Sequence, residues 1–499
     1  MSTPALSTAQ LDRAVGVLLG TAAGDALGAG YEFGPPLSAT APVAMNGGGT
    51  FRWAPGEWTD DTSMAWVIAA EAATGTDLRT PQAQDRIARA WAGWAQTAPD
   101  VGTQTRAVLT AARRAAEDAG TDQVTAAQLR AASHAQHEHT GRSAGNGSLM
   151  RTAPIALAYL HDEHALIDAA TALSALTHHD PEAAEACVLW SLAIRHAVLT
   201  GDLDARTGLP HLAEPRRAVW ARRLDDAETH EPATFDRNGW VVQALQAAWS
   251  AITHTPVPDD DPAHGCFRAQ HLQQSLEAAV RGGRDTDTVA AIAGGLLGAT
   301  YGATAVPAAW RRILHGWPGA NARDLTALGT AIATGGAAPF DGDYTGYSET
   351  DTLAQHPYDE QLWIGGGGAL HTLPAGVDAV VSLCRTSVDD VPTGGIEQVE
   401  IRLIDKAGEQ ENPNLGFVLH DTVALLEHLR QQGRTVLLHC VQAQSRTPTV
   451  AALYGARRNN VTTTQALHDI QHVLPRASPN QTFLAALHAT EAVGRPVSN

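Results

Sequence analysis

Residues 335–360 read GGAAPFDGDYTGYSETDTLAQHPYDE. Glycine, aspartate, proline and tyrosine crowd this stretch and the apolar period of the preceding chain is lost, so 336–357 reads as a linker. It separates two textures. Before it, apolar and small residues recur at helical spacing, as Ile87, Ala90, Trp91 and Trp94 do in 81–97, and again in 183–198 and 238–252. Almost no alternating strand pattern is present there. Abundant alanine and glycine let helices approach closely, so 1–335 predicts a compact all-α domain. After the linker, 377–384 and 399–404 read as strands, 415–431 as an amphipathic helix and 435–439 as a buried strand, with further helices beyond. Strands alternating with helices predict an α/β layer domain with partly parallel strands over 358–499. The expected fold class is therefore multidomain, all-α followed by α/β.

The chain has 499 residues and a formal charge of −19, with 44% hydrophobic and 17% charged residues. That composition suits soluble globular domains rather than disorder. The negative balance argues against general nucleic-acid or membrane-surface binding, which needs basic patches, but leaves room for a nucleotide in a local site. Lys406 is the single lysine, which excludes a P-loop GxxxxGK[ST] and leaves little scope for Schiff-base chemistry. Cys187, Cys266, Cys384 and Cys440 lie far apart without a CxxC pair, too few for a disulfide framework and wrongly spaced for zinc. The opening MSTPALSTAQLDRA has no charged-then-apolar signal pattern. The longest apolar run, around 289–299, is shorter than the ~18–20 residues that span a bilayer. A reducing cytoplasm is the expected compartment.

Two acidic clusters stand out. Thr59-Asp60-Asp61-Thr62 precedes the apolar helical stretch 64–70, and Asp285-Thr286-Asp287-Thr288 precedes another, 289–297. Both fit helix N-caps, where the helix dipole favours an acid. Capping accounts for one acid per helix but not for paired acids twice, each flanked by threonines. Were the two N-termini to meet, four carboxylates would share one site and repel one another unless cations intervened. Two Mg²⁺ ions would balance them, and an all-oxygen donor set suits a hard cation.

Gly24-Asp25-Ala26-Leu27-Gly28 with Glu32, followed by Thr59-Asp60-Asp61-Thr62, resembles the N-terminal signature of the ADP-ribosylglycohydrolase family. This all-α family includes dinitrogenase-reductase-activating glycohydrolase and the ADP-ribosyl-acceptor hydrolases. Gly145-Asn146-Gly147-Ser148-Leu149-Met150-Arg151, Thr177-His178 with Asp180-Pro181-Glu182-Ala183, and Gly283-Arg284-Asp285-Thr286-Asp287-Thr288 continue the likeness in order, over about 11–335. The resemblance implies two metal ions, Mg²⁺ with Mn²⁺ as an alternative, held by Thr59, Asp60, Asp61, Asp285, Asp287 and Thr288. It places the ribose diol of ADP-ribose over them and gives the Gly145–Met150 loop to diphosphate and ribose: Gly145, Asn146, Gly147, Ser148 and Met150, with glycines that let N–H groups approach anionic oxygens. Cleavage of the glycosidic bond develops oxocarbenium character, which a carboxylate stabilises. On this reading Glu32 gates or assists at the scissile bond and Asp61 is a ligand close to the attacking water. His178 either contacts the nucleotide or is a satisfied buried histidine. His134, His137 and His139 lie on a polar, loop-like segment and are read as solvated surface rather than a metal site.

The second constellation is Val436-Leu437-Leu438-His439-Cys440, a buried strand, followed by Val441-Gln442-Ala443-Gln444-Ser445-Arg446 and a helix from near Thr447. A strand–loop–helix turn aims N–H groups at the Cys440 sulfur, and the helix N-terminus and Arg446 favour a thiolate. Arg446 can fork onto two phosphate oxygens. His-Cys-x5-Arg-Thr at such a junction resembles the dual-specificity, cysteine-based phosphatases, as does Gln361-Leu362-Trp363-Ile364-Gly365-Gly366 at the domain start. The likeness spans about 358–491. It implies attack by Cys440 to give a phosphocysteine, Arg446 holding the phosphoryl group, Ser445 easing thiolate departure, and Asp405 protonating the leaving oxygen. Asp389, Asp390, Glu409 and Glu411 are alternatives to Asp405. The family's loop usually carries glycine where Ala443 stands, and alanine tolerates positive φ poorly, so the cradle could be reshaped. Cys384 is either a structural strand cysteine or a partner that protects Cys440.

The sequence thus predicts a bifunctional hydrolase. One half would cleave the glycosidic bond of an ADP-ribosylated protein or an ADP-ribose-containing small molecule, and the other a phosphorylated substrate. The alternative keeps the first activity and makes the second domain a phosphate-binding recruitment module.

Overall fold

The structure is a computed structural model that describes residues 5–336, 347–348, 350–386, 390, 395–408 and 410–491. Backbone contacts divide the chain into two compact units. The first comprises Met1–Pro256, Leu272–Val306 and Ile313–Ala337, and the second Val257–His271, Pro307–Arg312 and Ala338–Asn499. Two short segments expected in the helical domain, Val257–His271 and Pro307–Arg312, therefore belong to the second unit.

The first unit is helical apart from a two-residue strand pair, His315–Gly316 with Ala320–Asn321, among the described residues. Its axis is the pair of buried helices Thr8–Gly28 and Thr286–Tyr301. Gly16, Gly20, Gly24 and Gly28 lie four residues apart and so form one ridge along the first helix. A Cβ on Gly20 would stand 2.2 Å from the Gly294 carbonyl oxygen, and one on Gly24 would stand 2.0 Å from that of Ala290. Only glycine permits backbones to touch in this way. The same ridge ends with Gly28 against the backbone of Asp287, so this packing brings Asp25 and Asp287 to one place. Trp190, on the helix Pro181–Thr200, braces the pair by donating from Nε1 to Ile292 O at 2.9 Å. That helix is long and apolar enough by length and composition to cross a bilayer, a candidate that the apolar run 289–299 did not reveal. It lies mostly inside the fold, with 67% of its apolar window buried. His134, His137 and His139 lie on the helix Ala126–Thr140, not on a loop as expected. A capping box, with the Thr125 hydroxyl accepting from Gln128 N and the Gln128 side chain reaching back, starts that helix where composition suggested none.

The second unit is built on a five-stranded sheet. Across it the order is Leu353–His356, Asp359–Gly365, Val436–His439, Ala379–Ser382, Glu397–Glu400, antiparallel at the first pairing and parallel at the rest. Ile364, Leu438 and Val381 are paired side by side in the register and are fully buried. Leu353–His356 falls inside the expected linker: its four residues become a strand by hairpin pairing with Asp359–Gly365, information that lies in the partner rather than in the segment. The strand expected over 399–404 is Glu397–Glu400, while the helix Leu415–Gln431 stands where its amphipathic period put it. The helix Arg446–Asn459 begins directly after the loop that follows the central strand, so the chain turns at the carboxyl end of a parallel sheet, where α/β proteins place their ligands.

Candidate active sites

Asp25 shows why the first acidic cluster is not a set of helix caps. Its Oδ1 and Oδ2 accept from the backbone N–H groups of Thr59 and Thr62, each at 2.9 Å, so the helix Asp60–Ala73 is capped from a distant helix. Thr59 makes no capping hydrogen bond at that helix, nor does Asp285 at the N-terminus of Thr286–Tyr301. Capping at the N-cap positions therefore does not account for these acids. Thr59 Oγ1 lies 3.2 Å from Asp61 Oδ2 and 3.4 Å from Asp287 Oδ2, and Thr288 Oγ1 lies 3.4 Å from Asp61 Oδ2.

The two helix N-termini thus meet, which the sequence had left as a condition. Carboxylate oxygens of Asp25, Asp61 and Asp287 lie within 4.8 Å of one another, and so do those of Glu32, Asp285 and Asp287. Asp287 belongs to both triads. Asp60 belongs to neither: its Oδ2 accepts from Gly102 N at 3.2 Å. Asp61 is fully buried and its Oδ1 has no hydrogen-bond partner among the described residues. Burial without a partner is costly for a carboxylate oxygen, and an all-oxygen donor set of this kind fits a hard divalent cation. Burial drives the proton affinities up. Glu32 is raised to about 9, first by desolvation and then by Asp285 and Asp100, and Asp60 to about 7 by desolvation and then Asp100 and Asp25. Asp25 rises to about 6, with desolvation opposed by its bonds to Thr62 and Thr59. Desolvation and neighbouring carboxylates hold Asp61 and Asp287 well above the ordinary carboxylate range.

The glycine turn Gly145–Gly147 lies beside the acids, but its side chains serve the scaffold more than the resemblance implied. Asn146 Nδ2 donates to Asp285 Oδ2 at 2.8 Å and to Asn238 O at 2.9 Å, which makes it a positioner of a ligand carboxylate. Ser148 is buried and its Oγ pairs with Ser174 Oγ at 3.1 Å, facing the interior. Met150 is also buried, with Sδ 3.9 Å from Thr288 Oγ1. His178 is buried beneath the turn: its Nδ1 is 2.7 Å from Thr177 Oγ1, and a Cβ on Gly147 would stand 3.1 Å from its ring. Burial lowers its proton affinity to about 3, so it is neutral at physiological pH. His134 meets the His179 ring edge-on at 4.6 Å and His137 meets it tilted at 5.5 Å, and both belong to neither metal-ready group among the described residues.

Sequence reasoning gave no role to Asp25 or Asp100. Asp25 was visible as the acid that follows Gly24 on the glycine-ridged helix. Asp100, half-buried and raised in proton affinity by desolvation, carried no local signal.

In the second unit Cys440 is buried at the end of the central strand, its N–H 3.3 Å from Gly365 O. Arg446 is anchored by Nη1 to Leu383 O at 3.2 Å and Leu403 O at 3.1 Å. Its Nε is buried with no hydrogen-bond partner among the described residues, 3.9 Å from Asp405 Oδ2. A guanidinium held at one nitrogen with another unsatisfied is ready for an oxyanion. Ala443 adopts φ +53 and is buried, so the loop makes a left-handed turn at this residue, at a strain of about 1 kcal/mol for a residue with a Cβ. His439 is buried, with Nε2 2.7 Å from Ser382 Oγ, and burial followed by Arg446 lowers its proton affinity to about 4. Asn480, absent from the sequence reading, links two of the expected residues. Its N–H donates to Ser445 Oγ at 3.3 Å and its Nδ2 donates to Asp405 Oδ1 at 3.1 Å. Glu411 is occupied by the Lys406 ammonium at 2.5 Å, and Asp390 lies 3.6 Å from His371. Asp389 and Glu409 lie outside the described residues.

A helical fold with six acids converging on a glycine turn, followed by a cysteine–arginine loop on a parallel sheet, defines a two-part hydrolase. The family model described as ADP-ribosylglycohydrolase matches residues 6–339, and the chain belongs to that family. The dual specificity phosphatase catalytic domain model matches 374–492. The ADP-ribosylarginine hydrolase Tri1 of Pseudomonas putida (strain GB-1) is 30% identical over 305 residues, covering 60% of this chain and 73% of its own. The ADP-ribosyl-dinitrogen reductase glycohydrolase of Rhodospirillum rubrum is also 30% identical over 305 residues, covering 60% and 89%. Over the second part, dual specificity protein phosphatase 1 of Arabidopsis thaliana is 32% identical over 91 residues, 18% of this chain and 44% of its own. The chain is an ADP-ribosylglycohydrolase joined to a dual-specificity-phosphatase-like domain.

Proposed function

We propose that this chain removes ADP-ribose from arginine side chains with the help of two Mg²⁺ ions, and that its second domain hydrolyses phosphate monoesters through Cys440. We assign the first activity to 1–335 and the second to 358–499. The observation that carries the first is the pair of carboxylate triads sharing Asp287, with Asp61 Oδ1 left unsatisfied. The arginine linkage rests on the likeness to an ADP-ribosylarginine hydrolase.

Asp25, Asp61 and Asp287 would hold one ion, and Glu32, Asp285 and Asp287 the other, with Thr59 and Thr288 hydroxyls adjoining. Asp60 lies beside them. The ions, or Mn²⁺ in their place, supply Lewis-acid polarisation and orientation of the ribose diol. In the hydrolysis the bond from the anomeric carbon to the guanidine nitrogen breaks and a bond to a water oxygen forms. Asp61 takes the proton released by that water, and Glu32, with its raised proton affinity, gives one to the departing nitrogen. Asn146 keeps Asp285 in place and Asp25 fixes the helix that carries Asp61.

In the second domain the Cys440 sulfur forms a bond to phosphorus as the ester oxygen leaves with a proton from Asp405. Water then attacks phosphorus, returns a proton to Asp405, and expels Cys440 as a thiolate eased by Ser445. Arg446 presents its Nε edge to the phosphoryl oxygens, because Nη1 is already tied to two carbonyls. A thiol nucleophile of this kind requires a reducing compartment, which supports the cytoplasm. We assign neither a membrane nor general nucleic-acid partner. The strained Ala443 favours a second reading, in which the loop binds phosphate and only recruits substrate.

The test is ADP-ribose release from an ADP-ribosylarginine peptide with Mg²⁺ and with EDTA, alongside p-nitrophenyl phosphate turnover under reducing conditions. Release confined to Mg²⁺ is expected. Release in EDTA overturns the metal role, and tungstate binding without turnover selects the recruitment reading.

A further inference from the structure

The segment Pro307–Arg312 lies inside 6–339, the residues that match the glycohydrolase family, yet it belongs to the second unit. Its partners show what it does there. Ala308 N donates to Asp421 Oδ2 at 2.8 Å, on the helix Leu415–Gln431. Arg312 forks onto Glu397: Nη2 meets Oε2 at 2.9 Å and Nε meets Oε1, with the two side chains only 14% and 21% exposed. The same Nη2 donates to Gln432 Oε1 at 3.1 Å. A bidentate pair at this depth is little screened by salt and fixes direction as well as distance. Arg311 Nη1 donates to Glu400 O at 3.2 Å. The two arginines thus hold the first and last residues of the strand Glu397–Glu400, which forms one edge of the sheet. A second segment from 6–339, Val257–His271, packs on the same helix. Its Phe267 ring stands edge-on to Phe417 at 6.2 Å, and a Cβ on Gly416 would come within 2.7 Å of that ring.

The edge strand runs directly into the second site. Leu403, three residues beyond Glu400, offers the carbonyl that Arg446 Nη1 meets at 3.1 Å, and Asp405 follows two residues later. Between them the chain is tied at Ile404, whose N–H and carbonyl each bond the Asn412 side chain at 2.8 Å. An edge strand is paired on one side only, so whatever covers its other side decides how far it can shift. A shift of Glu397–Glu400 would move one of the two carbonyls that orient Arg446, and the acid Asp405 with it, while the rest of the sheet stays intact.

We propose that Arg311 and Arg312 are positioning residues of the phosphatase site: they fix the edge strand so that Leu403 O orients Arg446 and Asp405 stands at the leaving oxygen. The inference rests on the phosphatase reading above. It adds that the working arrangement of the second domain needs residues outside 358–499, supplied by the part of the chain that matches the glycohydrolase family.

The test uses the full chain and two readouts. The Kd for tungstate reports on Arg446. The ratio of kcat/KM for an alkyl phosphate to that for p-nitrophenyl phosphate reports on Asp405, because only the poorer leaving group needs its proton. Arg312→Met keeps the apolar stem and removes the fork, and Glu397→Gln removes the charge from the other side. Each is expected to raise the tungstate Kd and to lower the alkyl-to-aryl ratio, both by about five- to tenfold, with ADP-ribose release equal to the parent chain. The double variant should be no worse than either single one, since both delete the same contact. Arg311→Met should move both readouts in the same direction. Should Arg312→Met fail to fold, Glu397→Gln and Arg311→Met carry the comparison. Parental values of both readouts overturn the proposal. So do additive losses in the double variant, and equal losses on both esters with tungstate affinity unchanged, which mark a merely structural effect. A parent chain that binds tungstate but turns over neither ester refutes the phosphatase reading and the part assigned to Asp405, and the Kd values then decide the part assigned to Arg446. A parent chain that binds no tungstate refutes both.

Discussion

Asp60→Asn tests the electrostatics of the first site without disturbing its shape. The substitution is isosteric, and the asparagine carbonyl can still accept from Gly102 N, the bond that Asp60 Oδ2 now makes at 3.2 Å. Asp60 has its proton affinity raised from 3.8 to about 7 in the metal-free chain, by desolvation first and then by Asp100 and Asp25. A group so raised contributes stability that is complete below its unfolded value and is lost as pH climbs through its folded value. The window here is therefore pH 3.8 to about 7. Across it the metal-free protein should lose about 4 kcal/mol from this residue alone, with water entry and side-chain relaxation returning part of it. At pH 8 Asp60→Asn should accordingly be more stable than the parent without metal, by about 2–4 kcal/mol. For a unit of this size that corresponds to a rise in Tm of roughly 3–6 °C. Mg²⁺ at a hundredfold excess over its Kd should add about 2.7 kcal/mol to the parent and less to the variant. Calorimetry of both proteins from pH 5 to 8, with Mg²⁺ and with EDTA, measures all of these. A metal-free variant that melts below the parent at pH 8, or a parent whose metal-free Tm is flat over that range, would refute the account of a shared, desolvated acid cluster.

Three further perturbations have defined outcomes. Gly20→Ala drives a Cβ to within 2.2 Å of Gly294 O, so it should destabilise the first unit by about 3 kcal/mol and abolish Mg²⁺-linked stabilisation, read by denaturant titration with and without metal. Parental behaviour there would mean that the backbone contact is not needed to bring Asp25 and Asp287 together. Ala443→Gly removes about 1 kcal/mol of left-handed strain in the fold but adds comparable freedom to the unfolded chain, so stability should barely move while phosphatase kcat/KM rises. Unchanged turnover would show that the loop's conformation is not limiting. Asn480→Ala deletes the bond to Asp405 and a helix cap on Phe483 N, at about 1 kcal/mol of stability. It should lower kcat far more for alkyl phosphates, whose leaving oxygen needs a proton, than for p-nitrophenyl phosphate, and a uniform loss would deny it a role in positioning Asp405.

The parts of this molecule that were legible in sequence are those whose signal is local. The amphipathic period of Leu415–Gln431, the buried run before Cys440 and the doubled acids at 60–61 and 285 with 287 each declare themselves within a few residues. The strand Leu353–His356 did not, because its conformation is set by pairing with Asp359–Gly365. Asp25 was quoted in a motif but its role lay in two N–H groups more than thirty residues away, at Thr59 and Thr62. Asn480 likewise acquires its role from Asp405 and Ser445, which only the folded sheet brings within reach. The motif of Ser148 and Met150 was legible, but the partners of their side chains were not: packing sets Ser148 Oγ against Ser174 and Met150 Sδ against Thr288.

The two sites meet one electrostatic problem from opposite sides. In the first, the N-termini of Asp60–Ala73 and Thr286–Tyr301 converge, and their dipoles favour the carboxylates gathered there. That favour is too small. A helix terminus contributes up to about 2 kcal/mol, whereas raising Asp60 to about 7 and Glu32 to about 9 reflects a desolvation several times larger in sum. In the metal-free chain protons meet the deficit, and on the function proposed above divalent cations take their place. In the second, one helix N-terminus and an Arg446 Nε without a hydrogen-bond partner among the described residues present positive charge, and on the proposed function the anion that answers it is a substrate phosphate. Each site is therefore left incomplete by the fold in the sign of its ligand. It follows that divalent cations should stabilise the first unit and oxyanions such as tungstate the second, with each ligand moving its own thermal transition. A transition moved by the wrong ligand would contradict this reading of both sites.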